Sequence, residues 1–288
     1  MNLTGLATAF LRLLGRLPLP LLHWLSTVLF ALAYYLLRWR TALIDKNLKN
    51  AFPDLSAAER KKIARSHVRS VIDTTFESLK GNTISTEELG RRVRFTNIEL
   101  LNDYADQPLF IVGAHQGNWE WQLLALSNIL DKPLEAIYAP SGSPAVENNL
   151  MANRSRFGMR LIPRADTMME IAKRLKEPRA IVLLSDQNPR RDVERCWLPF
   201  LNQDTAFTVG LDKLASLTRY PIVFQESRRV SRGHYEVTFH HLAEPPYAKE
   251  GSELMSQYAA MLEESIRQQP SDWLWSYDRW RYPKPLYS

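Results

Sequence analysis

The chain has 288 residues, 45% hydrophobic and 24% charged, with 37 Lys+Arg against 31 Asp+Glu for a formal charge of +6. These are ordinary values for one large globular domain, and they exclude disorder, collagen and a polytopic membrane protein. The single cysteine, Cys196, excludes an internal disulfide framework and any multi-cysteine zinc or iron–sulfur site, while the basic excess suits an anionic partner: membrane phosphate, nucleic acid or an acidic carrier protein.

From Leu17 to Leu37 the chain carries no Asp, Glu, Lys or Arg. A helix of that length reaches about 30 Å, the thickness of a hydrocarbon core. Pro18 and Pro20 fit its first turn, and Trp24, Tyr34, Tyr35 and Trp39 resemble interfacial anchors. Arg12 and Arg16 precede it. Arg38, Arg40, Lys46 and Lys49 follow, and this heavier C-terminal charge favours a cytoplasmic body. Three readings stand side by side: a membrane-spanning helix, a helix lying in the interface or packed on the domain, and a signal peptide cleaved near Ala31-Leu32-Ala33. The first two both give a membrane address.

Beyond it, Ser56-Ala57-Ala58-Glu59 reads as a capping box, with Gly81 just past the expected helix end. Ile63, Val68, Val71, Ile72, Phe76 and Leu79 recur at helical spacing, and Lys61, Arg65 and Arg69 line another face. That charged face is either a solvated surface or a contact for an anionic partner. From residue 109 short apolar runs alternate with amphipathic stretches. Strands are expected at Leu109–Ala114, Leu134–Ala139, Ala180–Ser185, Ile222–Glu226 and Tyr235–His240, with a short piece at Leu161–Pro163. Helices are expected at Trp119–Leu130, from Ser143 to Phe157, from Asp166 to Lys176, near Gly210–Thr218 and from Ser252 to Arg267. The alternation predicts an α/β fold: a mixed, largely parallel central sheet flanked by helices, with an N-terminal membrane-anchoring helix. No fixed-period repeat and no low-complexity linker divides the chain.

The most informative stretch is Gly113-Ala114-His115-Gln116-Gly117-Asn118-Trp119-Glu120-Trp121. His115 leaves the end of a buried strand, where open α/β sheets place their ligands. On one continuous helix, His115 and Glu120 would diverge by about 140° at 100° per residue. They meet only if His115 sits in the strand-to-helix turn and Glu120 reaches back from the first helical turn. A neutral histidine in that setting takes a proton from a hydroxyl attacking a carbonyl, and a carboxylate on its other ring nitrogen fixes the tautomer. No serine or cysteine nucleophile stands beside the pair, which favours direct attack by a substrate hydroxyl. Backbone N–H groups near Gly117–Asn118, or the Asn118 amide, are candidates for holding the oxyanion. Alone, this spacing also fits a histidine that merely caps a helix. No metal-binding His-Glu-x-x-His pair is present, and His240-His241 point to opposite strand faces.

Several ordered motifs resemble the late lipid A biosynthesis acyltransferases, the lauroyl and myristoyl transferases with an H-x4-D/E motif, over nearly the whole chain. They are Asn47-Leu48 with Ala51-Phe52-Pro53 and Glu59-Arg60, the H-x-G-N-W-E core, and Arg154-x-Arg156-x-Gly158. Ser185-Asp186-Gln187 with Phe200 follows, and the chain nears its end with Trp273-Leu274-Trp275-Ser276-Tyr277-Asp278-Arg279-Trp280. Tyr277-Asp278 departs from the His-Arg that members often carry there. The glycerol-phosphate acyltransferases' Phe-Pro-Glu-Gly block is absent.

The resemblance implies fatty acyl transfer from acyl-carrier protein to a hydroxyl of a phosphorylated lipid A precursor, without a cofactor or metal. His115 would be the general base and Glu120 its orienting partner, while Asn118, Arg154, Asp186 and Gln187 would build the site or hold substrate. It divides the chain into a membrane anchor over 1–40 and a catalytic domain over 41–288, on the cytoplasmic face of a bacterial inner membrane. Arg190, Arg191 and Arg195 follow Asp186-Gln187 and are either a contact for an acidic partner or a solvated loop. The C-terminal tryptophans read as core edge or membrane interface rather than a nucleic-acid platform, since no nucleic-acid motif accompanies them. The alternatives are another lipid acceptor, glycerophospholipid or amino-acid lipid, and a catalytically silent membrane-binding homologue.

Overall fold

A computed structural model describes residues 3–191, 193–248 and 251–284. Its N-terminal part is helical. Pro18 separates α1 (Leu3–Arg16) from α2 (Leu19–Ala31), which runs on through a π-helical turn, Leu32–Leu36. Arg38 and Arg40, both at positive φ, end the run before α3 (Thr41–Ala51). α4 (Ala57–Lys80) starts at the expected capping box: the Glu59 N–H donates to Ser56 Oγ (3.3 Å) and the Ser56 N–H donates to Glu59 Oε2 (2.8 Å). Such a cap stabilises the helix end by about 1 kcal/mol.

The α/β part continues with α5 (Thr86–Arg92), β1 (Val93–Phe95), β2 (Leu109–Gly113), α6 (Trp119–Ile129) and β3 (Leu134–Tyr138). Then come α7 (Pro144–Arg154), β4 (Arg160–Pro163), α8 (Thr167–Ala172) and β5 (Ala180–Leu184). β6 (Arg195–Phe200), β7 (Gln203–Thr208), α9 (Gly210–Thr218), β8 (Ile222–Ser231), β9 (His234–Ala243) and α10 (Glu253–Gln268) complete it. Seven strands form one sheet in the order β1-β9-β8-β2-β5-β3-β4. From β8 to β4 every pairing is parallel, whereas β9 is antiparallel to β8 and carries β1 parallel to itself. The sheet is thus mixed and largely parallel, as the alternating pattern predicts. β2 lies at its centre, buried at every position, with Leu109 and Ile111 in one apolar layer and Phe110 and Val112 in the other.

Three local features differ from the sequence expectation. The helix expected to reach Lys176 ends at Ala172, and the residues after it form turns, with the Ile171 and Arg174 carbonyls accepting from the Arg179 guanidinium. α5 and β1 are too short to show a period. The β6–β7 hairpin carries no glycine signal in the sequence, because its turn residues, Leu201 and Asn202, both take positive φ as non-glycine residues.

The apolar N-terminal segment does not stand apart from the domain. α2 runs antiparallel along α4 and is joined to it by polar contacts: Ser26 donates to Asp73, and His23 Nε2 lies 3.0 Å from Glu77 Oε1. Farther along, Arg69 stacks over Phe30 at 4.7 Å and Arg65 over Tyr35 at 5.9 Å. α1 closes on the other end of α4, where Gly15 sits so tightly that a Cβ would come 2.3 Å from the Leu79 carbonyl oxygen.

Candidate active site

β2 and β5 are parallel neighbours in which Gly113 is the register partner of Leu184. His115 lies two residues past Gly113 and Asp186 two residues past Leu184, so both leave the sheet side by side at its C-terminal edge. His115 Nδ1 is 2.7 Å from Asp186 Oδ1, and the His115 backbone N–H donates to Asp186 Oδ2 at 3.1 Å. The Trp273 indole N–H donates to the same Oδ2 at 3.0 Å. Asp186 is only 2% exposed. Its burial acts to raise the carboxyl pKa, but the charge and hydrogen bonds of His115 and the Trp273 N–H outweigh it and hold the group below the ordinary carboxylate range. The other imidazole nitrogen, Nε2, lies 3.3 Å from the Gln187 amide nitrogen, and the side chain keeps 19% of its surface exposed. With Nδ1–H donated to the carboxylate, Nε2 carries the lone pair a general base needs.

The carboxylate placed against His115 Nδ1 is thus that of Asp186, and Glu120, expected there, lies elsewhere. Glu120 sits in the first turn of α6 and uses both carboxylate oxygens on Arg154, at 2.9 and 2.5 Å. Arg154 ends α7, so this bidentate pair ties α6 to α7 beside the histidine. Burial acts to lower the Arg154 pKa, but the Glu120 hydrogen bonds and charge raise it overall. Between them the Trp119 indole packs edge-on against the imidazole, with centroids 5.0 Å apart. Arg156 is turned away and donates to the Gly81 carbonyl at 2.8 Å.

Asn118 also differs from its expected place at the oxyanion. It is fully buried as the N-cap of α6, where Oδ1 accepts from the Trp121 N–H (3.0 Å) and Nδ2 donates to Glu77 Oε2 (2.9 Å). Its amide is occupied in shaping the turn. Gly117 N–H likewise donates to the Asp272 carbonyl at 3.1 Å. Gly117 takes φ +56, and a Cβ there would approach Ser227 Oγ to 2.9 Å, so the turn requires glycine on two counts.

Glu77, Asp272 and Trp273 belong to this site although no sequence pattern singled out their roles. Glu77 is fully buried and accepts from Asn118 and from Tyr235 Oη (2.6 Å), while its other oxygen faces His23. The C-terminal motif forms the opposite wall. Arg279, 1% exposed, donates to Asn188 Oδ1 (2.8 Å) and the Ala206 carbonyl (2.7 Å), and Tyr277 Oη accepts from the Asn188 N–H (3.3 Å). Burial pushes the Arg279 pKa down to about 10. Tyr277, where this chain departs from the related pattern, thus helps hold the loop after Asp186. Cys196 lies on the β6–β7 hairpin with its thiol directed at the Phe207 carbonyl, and burial raises its pKa.

The site is a strand-end histidine with a buried carboxylate behind it, an arginine–carboxylate clamp beside it and no nucleophilic side chain among its hydrogen-bond partners. Comparison with known proteins agrees in kind with this chemistry. The chain is 23% identical to the lipid A biosynthesis lauroyltransferase of Escherichia coli (strain K12), over 97% of its own length and 91% of that relative. Residues 2–282 match the family described as bacterial lipid A biosynthesis acyltransferase, and the chain belongs to that acyltransferase family.

Proposed function

We propose that this chain is a membrane-associated O-acyltransferase that moves a fatty acyl group from acyl-carrier protein to a hydroxyl of a phosphorylated lipid A precursor. The observation that carries the mechanism is the His115–Asp186 pair at the C-terminal edge of the sheet, with Nε2 met by the Gln187 amide, which a substrate hydroxyl would displace. His115 Nε2 accepts the proton of the acceptor hydroxyl as its oxygen attacks the thioester carbonyl. The tetrahedral intermediate then collapses: the carbon–sulfur bond breaks, the ester remains on the lipid, and the imidazolium returns its proton to the departing sulfur. Asp186 stabilises the imidazolium between those two transfers. Arg154, paired with Glu120, fixes α7 against α6 and so shapes the wall that carries Trp119 against the histidine. The basic loop Arg190-Arg191 with Arg195 supports an acidic donor protein, and the apolar N-terminal helices support a membrane address on the cytoplasmic side.

The test is acyl transfer by purified protein from an acyl-carrier thioester to a phosphorylated glycolipid, followed by product mass. Wild type adds one acyl group, and His115→Ala slows the reaction at least about 100-fold, the usual scale of a lost general base. Equal rates would overturn the mechanism, and no glycolipid product from wild type would overturn the acceptor class.

A further inference from the structure

α2 with its π-helical extension, Leu19–Leu36, is long and apolar enough to cross a bilayer, yet its packing opposes that orientation. A spanning helix at the edge of a protein needs neighbours that tolerate hydrocarbon. Its neighbour is α4, which shares an apolar cluster with it through Val68 and Ile72 but also sets Arg65, Arg69, Asp73 and Glu77 against it, one every turn along its length. Asp73 is itself held by Arg229 (2.7 Å) and Arg232 (2.5 Å), and Arg232 also donates to the His23 carbonyl at 2.7 Å. Carrying α2 across a membrane would either carry this charged row and the exposed Lys61 and Lys62 with it, or break the buried network.

The outer side of α1 and α2 is apolar. On α1 the exposed residues Leu3, Leu6, Phe10 and Leu13 fall on one helical stripe, and so do Leu21, Trp24 and Val28 of α2 with Leu32 of the turn that follows. Trp24 is 61% exposed, an unusual position for tryptophan in a surface that faces only water. Next to the α1 stripe, a groove of about 730 Å³ opens between α1 and α7, with Ala9, Leu13 and Met151 in its lining. Arg12 and Arg16 rim it one turn apart, both exposed, and no carboxylate among the described residues pairs with either. Two guanidiniums without a carboxylate partner, beside an open groove whose lining mixes Ala9, Leu13 and Met151 with Thr8 and Asn148, match a phosphate joined to acyl chains. The groove shares α7 with Arg154, so a lipid seated there lies on the helix that delivers Arg154 to the catalytic edge.

We propose that α1 and α2 lie in the plane of an anionic bilayer instead of crossing it, and that the Arg12–Arg16 groove seats the phosphate of a bilayer phospholipid. This rests on the membrane association proposed above. Neither arginine holds the fold together, so their replacement leaves the thermal midpoint unchanged.

Full-length protein is mixed with vesicles of phosphatidylcholine, with or without phosphatidylglycerol, and sedimented. Arg12→Gln/Arg16→Gln is expected to weaken partitioning onto the anionic vesicles about 30-fold and to leave the neutral ones unchanged. In spheroplasts of cells expressing the chain, an N-terminal epitope is expected to survive external protease. Unaltered partitioning of the double variant would overturn the groove, including the case where the variant instead raises KM for the phosphorylated acceptor. Loss of the epitope would overturn the in-plane orientation. Wild type that binds neither vesicle would overturn membrane association itself, while the activity of wild type against His115→Ala tests the catalytic reading separately.

Discussion

Glu77 shows how much a single carboxylate can hold. One oxygen accepts from Asn118 and Tyr235, the other meets His23, and its backbone carbonyl accepts from the Trp121 indole at 2.7 Å. It therefore links α2, α6, β9 and the catalytic turn. Burial, followed by the Glu77 charge, raises the Tyr235 pKa well above its ordinary value, which keeps that hydroxyl protonated as a donor. Glu77→Gln keeps the volume but supplies only one acceptor oxygen. It is expected to cost about 1–3 kcal/mol, read as a lowered denaturation midpoint, because one buried donor loses its acceptor. In the sequence Glu77 is one more charge on a long helix, and only the packing distinguishes it from Glu59 at the exposed start of that helix.

At the scale of elements, α4 and the C-terminal segment are joined through His67, whose Nε2 accepts from the Ser276 N–H at 3.1 Å. Burial lowers the His67 pKa to about 4, against the Ser271 and Trp273 backbone, which acts to raise it. A folded pKa below the unfolded value of about 6.5 stabilises the protein above pH 6.5. That stability is lost as pH falls from 6.5 toward 4, because only the unfolded chain takes up the proton there. The loss across this window is about 3 kcal/mol for wild type, and His67→Gln is expected to remove that part of the slope in denaturation at pH 7, 6 and 5. An identical slope in both proteins would show that His67 titrates freely when folded.

The same scale explains what could be read in advance. β2 and β5 announce themselves as uncharged apolar runs, and the capping box marks α4 within a residue. The order of strands across the sheet leaves no such mark. Pairing His115 with Glu120 follows the chain, whereas the structure pairs it with Asp186 across the β2–β5 register. Once those strands are neighbours, two residues beyond Gly113 and two beyond Leu184 must coincide. The family motifs were legible because they are local, but the roles within them depend on contacts between motifs: Trp273 on Asp186, Arg279 on Asn188 and Arg154 on Glu120.

For the whole molecule, the charge of +6 is not spread evenly in its consequences. Several arginines are consumed internally: Arg229 and Arg232 on Asp73, Arg154 on Glu120, Arg279 within the C-terminal wall. Arg12 and Arg16 meet no carboxylate among the described residues and lie beside exposed apolar stripes, and the proposal above turns this N-terminal face toward anionic lipid. In the function proposed above, a donor thioester and a lipid hydroxyl meet at His115, with Asp186 holding the ring. The most direct measurement of that claim is the steady-state acyl-transfer rate of Asp186→Asn beside Glu120→Gln. Asp186→Asn is expected to lower kcat by 10²–10⁴ (order of magnitude), because the amide can no longer stabilise the imidazolium. Asp186→Asn within about threefold of wild type, with Glu120→Gln inactive, would contradict it and return the orienting role to Glu120.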